Sequence, residues 1–172
     1  KGPDHEWLAR LYSRTKGVGC PYCAGQKLSV TNSLANYPEV MKEWDYSRNG
    51  DLKPEEVIAG SHKKYWWKCD KGPDHKWRAP VSKRTWAKHK CPFCGHQMLS
   101  ITNSLASLYP ELVGEWHPTM NGDKTPNEVI AGSRKNYWWM CYNGHEWKAS
   151  PDNRKRGTGC PDCQLKGVSK IE

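Results

Sequence analysis

Residues 65–94 read YWWKCDKGPDHKWRAPVSKRTWAKHKCPFC, and the rest of the chain is organised around this pattern. A Cys closes an aromatic run, a His follows after five residues, and a Cys-Pro-Phe-Cys turn ends the stretch. Cys69, His75, Cys91 and Cys94 together offer three thiolates and one imidazole. That set fills the tetrahedral shell of a structural zinc ion and leaves no position open for water. The short Cys-to-His spacing suits a tight hairpin knuckle, and Cys-Pro-x-Cys suits a turn whose two sulfurs converge on one ion.

The pattern recurs. VIAGSHKKYWWKC (57–69) returns as VIAGSRKNYWWMC (129–141), and SVTNSLANYPEVMKEW (29–44) returns as SITNSLASLYPELVGEW (100–116). Cys141, His145, Cys160 and Cys163 form a second complete set; His5, Cys20 and Cys23 form a third that lacks its first Cys. Because KGPDHEW (1–7) aligns with KGPDHKW (71–77), the equivalent of Cys69 would fall two residues before Lys1. The expectation is a piece of a longer array that holds Zn2+ in two complete Cys3His sites and one incomplete site. The boundaries read as a zinc module at 1–28, a repeat at 29–99 (helical segment 29–60, zinc module 61–99) and a repeat at 100–172 (helical segment 100–132, zinc module 133–172).

Composition agrees with small stapled modules. Only 36% of the 172 residues are hydrophobic, with one Phe, whereas ten Trp and eight Tyr carry most of the apolar area. Large aromatics bury much area each, which suits modules without a large hydrophobic core that need a metal staple. Eight Cys could instead form disulfides, but a His in fixed register in three copies has no role in such a scheme. Thiolate-zinc sites place the chain in a reducing compartment, inside the cell in cytoplasm or nucleus. No apolar run is long enough to span a membrane.

Strands are expected in KKYWWKC and HKWRAPV, paired antiparallel across the knuckle. Alternation puts Trp67 and Trp77, and likewise Trp139 and Trp147, on the metal side, and turns Trp66 and Trp138 away to meet another partner. The acidic segments offer that partner. Leu34, Tyr37, Val40, Met41 and Trp44 follow helical spacing, as do Leu105, Leu108, Tyr109, Leu112, Val113 and Trp116. Pro38 and Pro110 suit a first helical position, so a helix is expected to start at each.

The combination WWxC, GHxWxA, CPxC, NSLA, YPE, EW and VIAGS resembles a bacterial-type repeat family of treble-clef zinc finger or zinc-ribbon domains. The resemblance covers essentially the whole chain. It implies a small zinc-stabilised α+β fold of tandem treble-clef or zinc-ribbon-like modules, zinc held by the Cys and His residues named above, and a DNA-related role, in some members beside nuclease-like domains of the same polypeptide.

Charge alternates along the chain. Residues 61–90 carry ten Lys/Arg against two Asp, whereas 29–60 and 100–132 are net acidic. Basic loops lie between each His-x-Trp and the next Cys-Pro-x-Cys, and Arg14, Arg84 and Arg154 recur in them. A repeated cationic surface suits the anionic backbone of nucleic acid, DNA foremost. The candidate contacts are Arg14, Lys16, Lys63, Lys64, Arg78, Lys83, Arg84, Lys88, Arg134, Lys135, Arg154, Lys155 and Arg156. Two alternatives stand beside this one: Arg14 and its equivalents pair with the acidic segments, or the Trp-rich faces make the chain a protein-interaction scaffold. Catalysis is not expected. His145-Glu146 before Cys160-Pro161-x-Cys163 has the wrong order for a zinc deaminase. The Glu146-x-Lys148 pair is not kept in the other copies, and no spare His recurs. His89 and His96 lie near enough to Cys91 and Cys94 to compete as ligands.

Overall fold

A computed structural model describes residues 2–165, so Lys1 and the end of the third repeat from 166 onward lie outside the described residues. The chain forms two compact units, Lys1–Cys91 and Pro92–Glu172. Each contains one antiparallel hairpin, β1 (Lys64–Lys68) with β2 (Lys76–Pro80) in the first and β3 (Tyr137–Met140) with β4 (Glu146–Ala149) in the second. The register places Trp67 directly opposite Trp77 and Trp139 opposite Trp147, all four buried. The inner indoles Trp67 and Trp139 donate from Nε1 to the carbonyls of Ala79 and Ala149, at 3.0 and 2.9 Å. The helices are single turns: α1 (Leu11–Thr15), α2 (Pro38–Met41), α3 (Val81–Thr85), α4 (Leu105–Leu108), α5 (Pro151–Arg154) and α6 (Pro161–Leu165).

A two-stranded hairpin is marginal alone in water. The acidic segments supply its cover, though by a different route from the one helical spacing predicts. The helix expected from Pro38 stops at Met41, and its counterpart over Pro110–Glu115 is a 3-10 helix. Leu34, Trp44, Leu105 and Leu112 are buried, whereas Leu108 and Val113, in the second copy of the apolar stripe, are 46% and 39% exposed. The chain must leave the helix early because Trp44 makes an isolated β-bridge to Trp67, and Trp116 makes one to Trp139. In both pairs the rings meet edge to face with centroids 5.3 Å apart.

Trp66 and Trp138 therefore do not find their partner in the helical Trp. Asn49 and Asn121 hold them through the main chain. The amide N–H of Trp66 donates to Asn49 Oδ1, and Asn49 Nδ2 donates back to the Trp66 carbonyl, both at 2.9 Å. Asn121 repeats the same pair on Trp138 at the same distances. The carboxamide and the main chain of the acidic segment, which bonds through the Asp45 and His117 amides to the Trp66 and Trp138 carbonyls, together cover the outer edge of each hairpin, where an unpaired strand edge would otherwise invite association.

Of the readings open for the recurring arginines, Arg84 and Arg154 follow the one that pairs them with the acidic segments. Arg84 and Arg154 are 6% and 4% exposed. Arg84 leaves α3 with its guanidinium 5.3 Å from the ring centroids of both Trp67 and Trp77, ion-paired to Glu43 and bonded to the His89 carbonyl. Arg154 sits 5.0 and 5.1 Å from Trp139 and Trp147, paired to Glu115 and bonded to the Thr158 carbonyl. Their assignment as phosphate contacts is corrected: the charges are enclosed by the fold and bind each acidic segment to its hairpin. Arg14 keeps part of this arrangement, 5.7 Å from Trp7 and donating to the Val18 carbonyl at 2.7 Å, but it is exposed.

Truncating one member of a buried ion pair costs about 3–5 kcal/mol because the other charge is stranded. Arg154→Ala is therefore expected to lower the denaturation midpoint of the second unit, followed by Trp fluorescence in guanidinium. Arg14→Ala, at an exposed position, is expected to change stability by no more than about 0.5 kcal/mol.

Candidate metal centres and cationic surface

Each hairpin delivers its ligands through its own turn. The Cys69 amide donates to the His75 carbonyl and the Cys141 amide to the His145 carbonyl, both at 3.0 Å, so the strands close into a knuckle just where the first ligands stand. The imidazole lies against the turn. A Cβ built on Gly72 would stand 2.7 Å from the His75 ring, so no larger residue fits there without displacing the ligand. At the other end Cys-Pro-x-Cys folds back on itself: the amides of Gln26 and Gln97 donate to the carbonyls of Pro21 and Pro92, each at 2.8 Å.

The ligand atoms converge in three groups: Cys69, His75, Cys91 and Cys94; Cys141, His145, Cys160 and Cys163; and His5, Cys20 and Cys23. Within each group all lie within 4.8 Å of one another. Tetrahedral zinc, with bonds of about 2.3 Å to sulfur and about 2.0–2.1 Å to nitrogen, requires N···S edges of about 3.6 Å and S···S edges of about 3.8 Å. His145 Nδ1 stands 3.5, 3.6 and 3.3 Å from the sulfurs of Cys141, Cys160 and Cys163, and Cys141 and Cys163 are 3.8 Å apart. His5 Nδ1 is 3.6 and 3.4 Å from Cys20 and Cys23, and His75 Nδ1 is 3.7 Å from Cys91. The dimensions and the N/S donor chemistry fit zinc. All eight Cys are thiols and none is joined in a disulfide, and neither His89 nor His96 joins a group among the described residues.

The hydrophobic wall and the metal share residues, as the strand alternation predicts. In the second unit Trp139, Trp147, Leu105, Leu112 and Ala149 form one buried cluster with Cys160, and Cys141 and Cys163 pack against it.

A second layer of ligand support comes from the start of the segment that sequence spacing reads as helical. His5 Nε2 lies 3.0 Å from Ser29 Oγ and 2.9 Å from Thr31 Oγ1. Those hydroxyls occupy the ring's other nitrogen, which leaves the Nδ1 lone pair aimed at the sulfurs. Asp4 completes the layer by accepting from Ser29 Oγ at 2.8 Å and from the Val30 amide at 2.9 Å, and the Val30 bond holds its carboxyl below the usual carboxylate range. Asn32 then donates to the carbonyls of Tyr22 and Lys27, clasping the Cys-x-x-Cys turn; Asn103 does the same to Phe93 and Met98. The readable signal was the fixed spacing of Ser-x-Thr-Asn behind the last Cys, Cys23 to Ser29 and Cys94 to Ser100.

The basic residues divide into two kinds. Lys63, Lys64, Arg78, Lys83, Lys88, Arg134 and Lys135 are exposed, and no ion pair among the described residues includes them. Lys16 is exposed too, 5.7 Å from the Tyr12 ring. Lys155 and Arg156, also exposed, instead pair with Asp152 at 2.9 and 2.8 Å, and the bond from Lys155 holds the Asp152 carboxyl below its ordinary range. With Arg154 buried and its two neighbours paired to Asp152, the loop 153–159 presents less charge than its composition suggests.

Removing the hydroxyls that orient a ligating imidazole costs about 10–100-fold in metal affinity. Ser29→Ala combined with Thr31→Val is therefore expected to release metal from the first group at a correspondingly lower concentration of a chromophoric chelator. EDTA in excess is expected to shift the Trp emission of the whole chain to the red as the hairpins lose their staple.

No helix among the described residues is long and apolar enough to cross a membrane. No curated protein matches the chain. A family described as "Probable Treble clef zinc finger domain" matches residues 1–26, 40–97 and 112–166. The two longer stretches each begin before the Glu-Trp pair, 43–44 or 115–116, that packs on the hairpin, and run past the final Cys-x-x-Cys. With a knuckle, a hairpin and a second Cys pair converging in each, the chain belongs to this treble clef zinc finger family.

Proposed function

We propose that the chain is a tandem array of structural zinc modules that binds nucleic acid, DNA foremost, and serves as a targeting part of a larger polypeptide. Two modules carry complete Cys3His sites and the first carries three ligands. With its shell filled by protein, the metal of a complete site has no position to offer a substrate, so those two sites hold shape.

The observation that carries the binding reading is an asymmetry in how charge is used. Several acids are drawn into the fold: Glu43 and Glu115 onto buried guanidiniums, Asp152 onto two neighbours, and Glu128 onto the amide and hydroxyl of Thr125. The cations at 63, 64, 78, 83, 88, 134 and 135 stay at the surface. The enclosed Arg–Glu pairs cancel, so the formal excess of +9 is left to the cations at the surface. Such a surface attracts a polyphosphate without reading its sequence.

A protein-interaction scaffold is favoured by a different observation. Leu28 and Val30 are 40% and 62% exposed, and Leu99 and Ile101 at the matching positions are 39% and 61% exposed. Apolar docking through these pairs would be insensitive to salt.

Binding of the zinc-loaded chain to a fluorescent DNA duplex is expected to weaken steeply with salt, by a log–log slope of about −0.9 per neutralised phosphate. Lys83→Gln with Lys88→Gln is expected to lower affinity alike for unrelated sequences. Absence of affinity for DNA and RNA at low salt would overturn the nucleic-acid reading.

A further inference from the structure

The solvent face of the β1–β2 hairpin carries an arrangement that folding alone does not favour. Lys68 and Lys76 are directly opposed partners in the antiparallel register, so their side chains leave the same face side by side. Like charges in that position are destabilising. No ion pair among the described residues relieves either of them. The next rung on the same face is Trp66 opposite Arg78, and the one beyond it begins with Lys64. On this face no strand position is acidic.

Trp66 is half-buried and serves as a pedestal. The Arg48 guanidinium lies 4.5 Å from its ring and the Arg78 guanidinium 5.8 Å, while Asn49 fixes its main chain from behind. Cation–π contact gives both forks a preferred place on the face. Arg78 also reaches the Lys64 carbonyl at 3.5 Å, and Arg48 approaches Asp45 through Nε at 3.9 Å. Lys68 and Lys76 continue into the shallow groove over the knuckle, which Lys71 and Asp70 also line. Successive rungs on one face are about 6.8 Å apart, close to the separation of neighbouring phosphates along an extended polynucleotide backbone.

We propose that this strand face, through Lys64, Lys68, Lys76, Arg78 and Arg48, is the primary seat of a phosphodiester backbone, ahead of the loops. The inference rests on the nucleic-acid reading above, keeps Lys64 and Arg78 from its candidate contacts, and moves its centre to Lys68, Lys76 and Arg48, which the basic loops do not mark. The third repeat gives an internal contrast. Its corresponding rungs are Trp138 opposite Lys148 and Met140 opposite Glu146, and Glu146 is taken up by His117 at 3.0 Å. The cationic face thus belongs to the β1–β2 hairpin and is no general consequence of building such a hairpin.

The test uses the full zinc-loaded chain, a fluorescein-labelled DNA duplex and one of its separated strands. Lys68→Gln with Lys76→Gln is expected to weaken binding about tenfold and to reduce the duplex salt slope by about 1.8. The same variant is expected to be at least as resistant to guanidinium as the parent, because a repulsive pair has gone, so lost binding cannot be charged to unfolding. Lys148→Gln on the corresponding face of the third repeat is expected to have a smaller effect. If Lys68→Gln with Lys76→Gln binds with unchanged affinity and slope while Lys83→Gln with Lys88→Gln loses both, the strand-face inference is wrong and the loop reading stands. If the parent chain binds neither probe at low salt, both are wrong.

Discussion

A guanidinium held between two indoles is the constraint around which each complete module is arranged. Arg84 and Arg154 must be compensated from several sides at once, because a buried charge left unpaired costs far more than a buried apolar side chain gains. Two Trp rings, one carboxylate and one carbonyl do so in each case. Among the described residues the Nε of both has no hydrogen-bond partner, so ring contact carries part of the compensation. The consequence is topological. Glu43 and Glu115 come from the acidic segment, the Trp rings from both strands, and the Arg from the turn of helix after the second strand. One side chain therefore ties three elements that hydrogen bonding within a two-stranded sheet would leave separate.

Zinc acts on the same elements from the other end. The knuckle sets the end of the hairpin at which Cys69 and His75 stand, while the Trp pair and the Arg fix its middle. Asp4, Ser29, Thr31 and Asn32 join the ligands to the chain that follows them, so the segment after the last Cys is ordered by the metal site before it reaches the next module. This layer differs among copies in a coherent way. Asp4 and Asp74 precede the first two ligating His residues, whereas Gly144 precedes His145, with φ of 76° that a glycine adopts freely.

Ligand spacing made the metal sites legible before any coordinates, since zinc chemistry restricts both residue type and separation. The strands were legible too, because alternation in YWWKC and HKWRA has one sensible register. Helices were harder. Leu34 and Trp44 satisfy a helical period, yet Trp44 is recruited as a β-bridge partner, and that tertiary demand ends the helix after one turn. The recurring Arg misled for a related reason: an Arg at a fixed place in a basic loop looks like a phosphate contact until its Glu partner, about forty residues away in sequence, is brought beside it. Asn49 and Asn121 carried a readable repeat whose purpose, clamping a strand edge, depends on where Trp66 and Trp138 turn.

These assignments change what the basic character of the chain means. Arg84 and Arg154, which recur in the two complete modules, are consumed by the fold, because a structural demand common to those modules selects the same residue each time. Cations that a module can lack without losing its architecture are the better guide to a partner. Lys68 and Lys76 meet that criterion: Met140 and Glu146 replace them in a hairpin of the same register, with the same opposed Trp pair and the same Asn clamp. The two Lys residues contribute repulsion to their own hairpin and nothing to its closure. An anionic ligand that spans both would turn that repulsion into attraction, which gives their side-by-side placement a physical reason the folded chain by itself does not supply.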